Sequence, residues 1–143
     1  MARIHESIDI NASADAIKRL LVTPAEIVRW YEGVDSVNPS GSYPSVGSTI
    51  DGAMKVLAVE IKAKQTVLEN TPTMLRYQLE GMASGTQTWT ITQSGGASKL
   101  EIETEFHLIG GAVGKLAEPA VVAMLGNNAR KSLENIKRMA EGK

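Results

Sequence analysis

From Arg3 to Ile10 the chain alternates, with Ile4, Glu6, Ile8 and Ile10 on one side and Arg3, His5, Ser7 and Asp9 on the other. A period of two predicts a half-buried strand, here with one acid on its apolar face. Asn11-Ala12-Ser13 offers cap residues for a short helix over 15–21. Thr23-Pro24, with Glu26 in the first turn, starts a second short helix that ends near Tyr31, ahead of Gly33. The period is again two from Val34 to Leu108. Strands are predicted over 34–39, 48–54 and 56–70, the last with Leu57, Val59, Ile61, Ala63 and Val67 on one face and Lys62 and Lys64 opposite. Leu75, Tyr77 and Leu79 mark a further inner face, and the stretch from Gly81 to Gly85 reads as a turn. Thr86, Thr88, Thr90 and Thr92 then form a β-branched outer row against Gln87, Trp89 and Ile91. Gly95-Gly96 is a hairpin signal, and Leu100, Ile102, Phe106 and Leu108 close the series with Glu101, Glu103 and Glu105 facing water. Ala117, Val121, Met124, Leu125, Leu133, Ile136 and Met139 follow at near-helical spacing, which predicts a long closing helix to Ala140. Pro119 near its start is a candidate kink, and Gly126-Asn127-Asn128 weakens its middle.

This order predicts an α+β domain over residues 1–143: a curved antiparallel sheet of about seven strands, two short helices after the first strand, and a long C-terminal helix that the sheet grips. Composition narrows the function. Fifteen basic residues against 16 acidic ones, a formal net charge of −1, leave no basic surface for nucleic acid. With no cysteine there are no disulfides and no thiolate metal sites. The opening Met-Ala-Arg-Ile-His-Glu is not a signal peptide, and no apolar stretch approaches the roughly 18 residues of a membrane span. A cytoplasmic protein, monomer or homodimer, without an integral membrane segment is expected.

The layout resembles the START/Bet v 1-like (SRPBCC) superfamily with its helix-grip fold, and within it the polyketide cyclase/dehydrase and lipid-transport branch. Three patches carry the resemblance. Ile8-Asp9-Ile10-Asn11-Ala12-Ser13-Ala14 with Ile17 is similar to that branch's first strand and helix entry. Leu20-Leu21 through Pro24 to Trp30, then Val34 and Val37, is similar to its passage through the short helices. Gly110-Gly111 through Lys115 and Pro119 to Leu133-Glu134-Asn135-Ile136-Lys137 and Glu141 resembles its closing helix. The resemblance implies a cavity for a hydrophobic molecule between sheet and helix. It supplies no universal catalytic signature and no cofactor.

Cavity residues are therefore chosen by parity. Polar groups on predicted inner faces are Glu6, Gln65, Tyr77, Gln87, Trp89 and Thr104. Glu6, if buried, has a raised pKa and serves as acid or base; at an open strand end it meets solvent or a lysine instead. Tyr77 either polarises a ligand carbonyl or is a core aromatic bonded to a backbone carbonyl. Gln65 and Gln87 are poor catalysts that require partners, and a wet cavity suits them. Trp30 ends the second helix either as an anchor or as a ligand contact. Met54 and Met124 are adaptable fillers for a cavity or an ordinary core. Ile61 and, from the helix opposite, Leu116, Ala117, Ala120, Val121, Leu125 and Asn128 complete the wall. His5 and His107 share outer-face parity, and without a third ligand no metal site is expected. Gly110 to Gly114 lacks the flanking units of a dinucleotide site and serves the turn into the helix.

Three functions remain open from sequence. The first is carriage or sensing of a small hydrophobic, lipid-like or aromatic ligand. The second is a cyclase- or dehydratase-like reaction using Glu6 or Tyr77. The third is a protein-interaction module.

Overall fold

The computed structural model describes residues 2–56, 59–108 and 118–142. Seven strands form one antiparallel sheet: β1 (Ala2–Ile10), β2 (Val34–Ser40), β3 (Thr49–Val56), β4 (Val59–Thr71), β5 (Met74–Gly81), β6 (Ala83–Ser94) and β7 (Ala97–Leu108). Their spatial order is β1-β7-β6-β5-β4-β3-β2. Helices α1 (Ala14–Val22) and α2 (Pro24–Trp30) join β1 to β2, the two edge strands, and α3 (Glu118–Ala140) closes the chain against β1. The α+β helix-grip architecture is as the alternation and the closing helical stripe predict.

Two strand boundaries differ from the pattern. The segment 56–70 reads as one strand, yet β3 extends to Val56 and β4 starts at Val59. No glycine, proline or asparagine stands between Val56 and Val59, so the sequence periodicity shows no break there. The stretch from Gly81 to Gly85 reads as a turn, but only Met82 is left between β5 and β6. Gly81 and Gly85 keep their backbone in the strands at φ +110° and +154°, values that a side chain disfavours. At Gly85 a Cβ would lie 1.9 Å from the carbonyl oxygen of Glu105 on β7, so no side chain fits.

The predicted caps are half realised. Ser13 accepts from Ala16 N–H at 3.2 Å and starts α1. Thr23 makes no such bond for α2; its hydroxyl donates to Arg19 C=O at 2.6 Å and ends α1 instead. Pro24 starts α2 as expected. In α3, Pro119 falls in the first turn, where its missing N–H costs nothing, and the helix runs unbroken through Gly126.

The inner face of α3 is set by its long residues. Leu133 and Ile136 are buried at 1% and 0% exposure, and the preceding helical turns bring Ala129, Leu125 and Val121 inward. Ala120 therefore points to solvent, which corrects its place on the cavity wall. The main core joins Trp30, Trp89, Leu100, Ile102, Leu133 and Ile136 with α1 and β1. A second, smaller cluster centres on Ile61 and Val121, packed round by Met54, Met82, Met124 and Leu125. The expectations for Leu57, for Gly110 to Gly114, and for Leu116 and Ala117 lie outside the described residues.

Candidate functional site

Strands β3 to β7 and β1 present alternate residues to α3, and the space between holds a cavity of about 120 Å³. Its wall draws on both apolar clusters. Ile4, Leu79, Ile102, Phe106 and Ala129 come from the main core, and Met54, Ile61 and Leu125 come from the smaller one. Gln65, Gln87 and Thr104 line it as the inner-face parity predicts, Asn128 joins them from α3, and Tyr31 joins from the end of α2. A neighbouring void of about 30 Å³ lies deeper, between Trp30, Tyr31, Tyr77, Gln87 and Trp89, and Gln65 borders both.

Three polar side chains occupy one row across the sheet. Tyr77 on β5 faces Gln87 on β6, Gln87 faces Thr104 on β7, and Thr104 faces Ile4 on β1. Trp89, two residues along β6 on the same face, donates its indole N–H to Gln87 Oε1 at 3.0 Å. Gln87 Nε2 donates to the Tyr31 hydroxyl at 3.0 Å and to Thr104 Oγ1 at 3.4 Å. Gln87 is 5% exposed, so these bonds offset the cost of burying an amide. Gln65 has no hydrogen-bond partner among the described residues, and its Nε2 lies 3.5 Å from where a Cβ on Gly52 would stand. Asn128 Nδ2 packs on Gly33, 2.9 Å from a Cβ placed there.

Aromatic packing holds Tyr31 in place. Its ring stacks on Trp30 at 5.1 Å, and Trp89 meets both rings edge-on at 5.3 and 6.3 Å. Trp30 is 2% exposed and donates its Nε1–H to Leu20 C=O at 2.8 Å, tying α2 to α1. Below this layer α3 grips the α2–β2 turn through a polar stripe. Ser132 Oγ accepts from Glu32 N–H at 2.8 Å and donates to Asn128 C=O at 2.7 Å. Asn135 Nδ2 donates to Trp30 C=O at 3.0 Å. The loop after β2 adds Tyr43, whose hydroxyl meets that of Tyr77 at 2.6 Å. Burial pushes the phenol pKa of Tyr31 up, partly offset by the Gln87 bond, and pushes that of Tyr77 well up.

Several candidates fall elsewhere. Glu6 has inner-face parity but sits where α3 crosses β1, and its carboxylate pairs with Arg130 at 3.1 Å with 26% of the side chain exposed. The helix meets the sheet edge there, so the acid is neutralised at the surface and is not among the described residues lining the cavity. Tyr77 is 4% exposed, and its hydroxyl is bonded to Tyr43, a side chain and not a backbone carbonyl. Met124 flanks the inner stripe of α3 and packs on the Ile61–Val121 cluster, outside the cavity lining. His5 bonds Glu101 at 3.1 Å, and no group of three metal-ligating side chains occurs among the described residues. Tyr31 and Tyr43 escape the alternation argument because one ends a helix and the other lies in a loop, where periodicity carries no facing information.

The sequence model for polyketide cyclase/dehydrase and lipid transport proteins matches residues 1–141. The chain belongs to this family. Its START/Bet v 1-like fold recurs in solved structures of low identity. TTHA0849 from Thermus thermophilus superposes with a TM-score of 0.84 at 12% identity, over 99% of this chain and 98% of that one. The Zhui aromatase/cyclase from Streptomyces sp. R1128 gives 0.78 at 13%, over 98% and 93%. A START superfamily protein from Mycobacterium smegmatis gives 0.80 at 11%, over 98% and 97%. At these identities the likeness is one of fold. No curated protein matches the sequence. No helix among the described residues is long and apolar enough to cross a membrane.

Proposed function

We propose that this member of the family binds a small, largely apolar molecule between its sheet and α3, as a carrier or sensor. One observation carries the reading. The described residues lining the 120 Å³ cavity are apolar side chains, amides and hydroxyls, without an aspartate, glutamate, histidine, lysine or arginine. Such a wall supplies burial and a few oriented hydrogen bonds, which is what a binding site needs. General acid–base chemistry needs a group that titrates near the working pH. A cyclase- or dehydratase-like reaction requires that role of Glu6 or Tyr77. Glu6 is paired with Arg130 away from the cavity, and the phenol of Tyr77 is held by Tyr43 with its pKa raised by burial. Binding without turnover is therefore the better supported function.

Native mass spectrometry of freshly purified protein, followed by organic extraction, tests it directly. A released apolar compound, displaced by Ala129→Leu, supports the reading, because Ala129 is the small residue of α3 on the cavity wall. A protein whose Met54, Ile61 and Leu125 methyl resonances ignore every member of a neutral aromatic panel would sink it.

A further inference from the structure

The hydrogen-bond chain across the sheet has a direction. An indole N–H only donates, so the Gln87 atom 3.0 Å from Trp89 Nε1 is the amide oxygen. The Gln87 amide nitrogen then faces Tyr31 and Thr104 as a donor. The Tyr31 oxygen accepts from it, and the phenol's own proton has no acceptor among the described residues. Tyr31 lines the cavity, its ring fixed between Trp30 and Trp89.

Two further properties bound what meets that proton. The described lining carries no formal charge, and burying an unpaired ion there is costly, so the partner is neutral. The cavity, at about 120 Å³, is on the scale of the roughly 150 Å³ apolar cavities that hold a benzene. Resting on the binding reading above, we infer that Tyr31 is the specificity-determining donor for the carbonyl oxygen of a neutral ligand about one ring in size. Trp89 and Gln87 act behind it as positioning residues that keep the phenol donating. Gln65 borders the same space with an uncommitted amide and accommodates a second polar substituent.

The test uses two probes of one shape, acetophenone and α-methylstyrene, in which C=CH₂ replaces C=O. Dissociation constants are measured for the full chain and for Tyr31→Phe, which keeps the ring and its stacking. Acetophenone is expected to weaken by roughly three- to tenfold in the variant, the worth of one neutral hydrogen bond. α-Methylstyrene should bind the variant as it binds the parent. Equal changes for both probes overturn the inference while leaving the binding reading in place. Should neither probe bind the parent chain, this inference is overturned, and the binding reading is decided separately by the extraction and the aromatic panel. The infrared carbonyl stretch of acetophenone bound to the parent is a second readout that does not depend on the variant folding. A shift below its value in hexane supports donation from a hydroxyl, and an unshifted band overturns it.

Discussion

Gly85 gives the sharpest test of how the sheet is built. It lies in β6 at φ +154°, opposite Phe106 of β7, two residues before Gln87. A Cβ there would stand 1.9 Å from Glu105 O and 2.8 Å from both Glu105 C and Phe106 Cα. All three are backbone atoms, so no rotamer change relieves the clash and β7 itself has to move. Overpacking of this kind costs about 1–3 kcal/mol, and holding a side chain at a positive φ about 1–3 kcal/mol more. Gly85→Ala should therefore lose about 2–6 kcal/mol of a total stability on the order of 5–15 kcal/mol. Urea unfolding followed by far-ultraviolet circular dichroism reads this as a midpoint lowered by roughly 1–3 M. Two other glycines separate the causes. Gly95 has φ +66° with nothing within 4 Å, so Gly95→Ala carries only the backbone term, about 1–2 kcal/mol. Gly96 is free of both, and Gly96→Ala should be neutral or slightly stabilising. If Gly85→Ala proved no worse than Gly95→Ala, the close approach of β6 to β7 would be wrong, and with it the position of Gln87 beside Thr104.

Three more outcomes are expected. Ser132→Ala should cost about 1–3 kcal/mol in urea titration, because Ser132 is fully buried and its loss leaves the Glu32 N–H without its acceptor; an unchanged midpoint would show that the helix–turn grip is dispensable. Glu6→Gln should cost at most about 1 kcal/mol, since its partner Arg130 is 55% exposed, and should leave ligand affinity unchanged; a large loss of binding would return Glu6 to the site. All three tyrosines, Tyr31, Tyr43 and Tyr77, have pKa values raised by burial. A raised phenol favours the folded state while protonated. Its contribution is complete below the unfolded tyrosine pKa of about 10 and is lost as pH rises towards the folded value. Tyrosinate absorbance should therefore appear together with loss of structure in an alkaline titration, and ionisation of a still-folded chain near pH 10 would contradict the burial.

The alternation along the chain determined most of the architecture, because a strand with one buried face has to write that face into every second residue. It placed Gln65, Gln87, Thr104, Met54 and Ile61 on the wall where they stand. Ser13 and Thr23-Pro24 likewise announced the short helices as start signals, and the stripe through Leu133 and Ile136 announced the long one by its spacing. Parity says which face a residue occupies and nothing of what crosses that face. Glu6 has the right parity, and only the path of α3 over β1 set Arg130 against it. Ala120 lies close in sequence to the inner stripe, yet the phase of α3, fixed by Leu133 and Ile136, turned it to water and turned Ala129 inward. Tyr31 and Tyr43 belong to a helix end and a loop, where no period exists to read. Their hydroxyls reached Gln87 and Tyr77 over separations of 56 and 34 residues. Such pairings are properties of the tertiary fold, since they depend on where a helix end and a loop are set against the sheet.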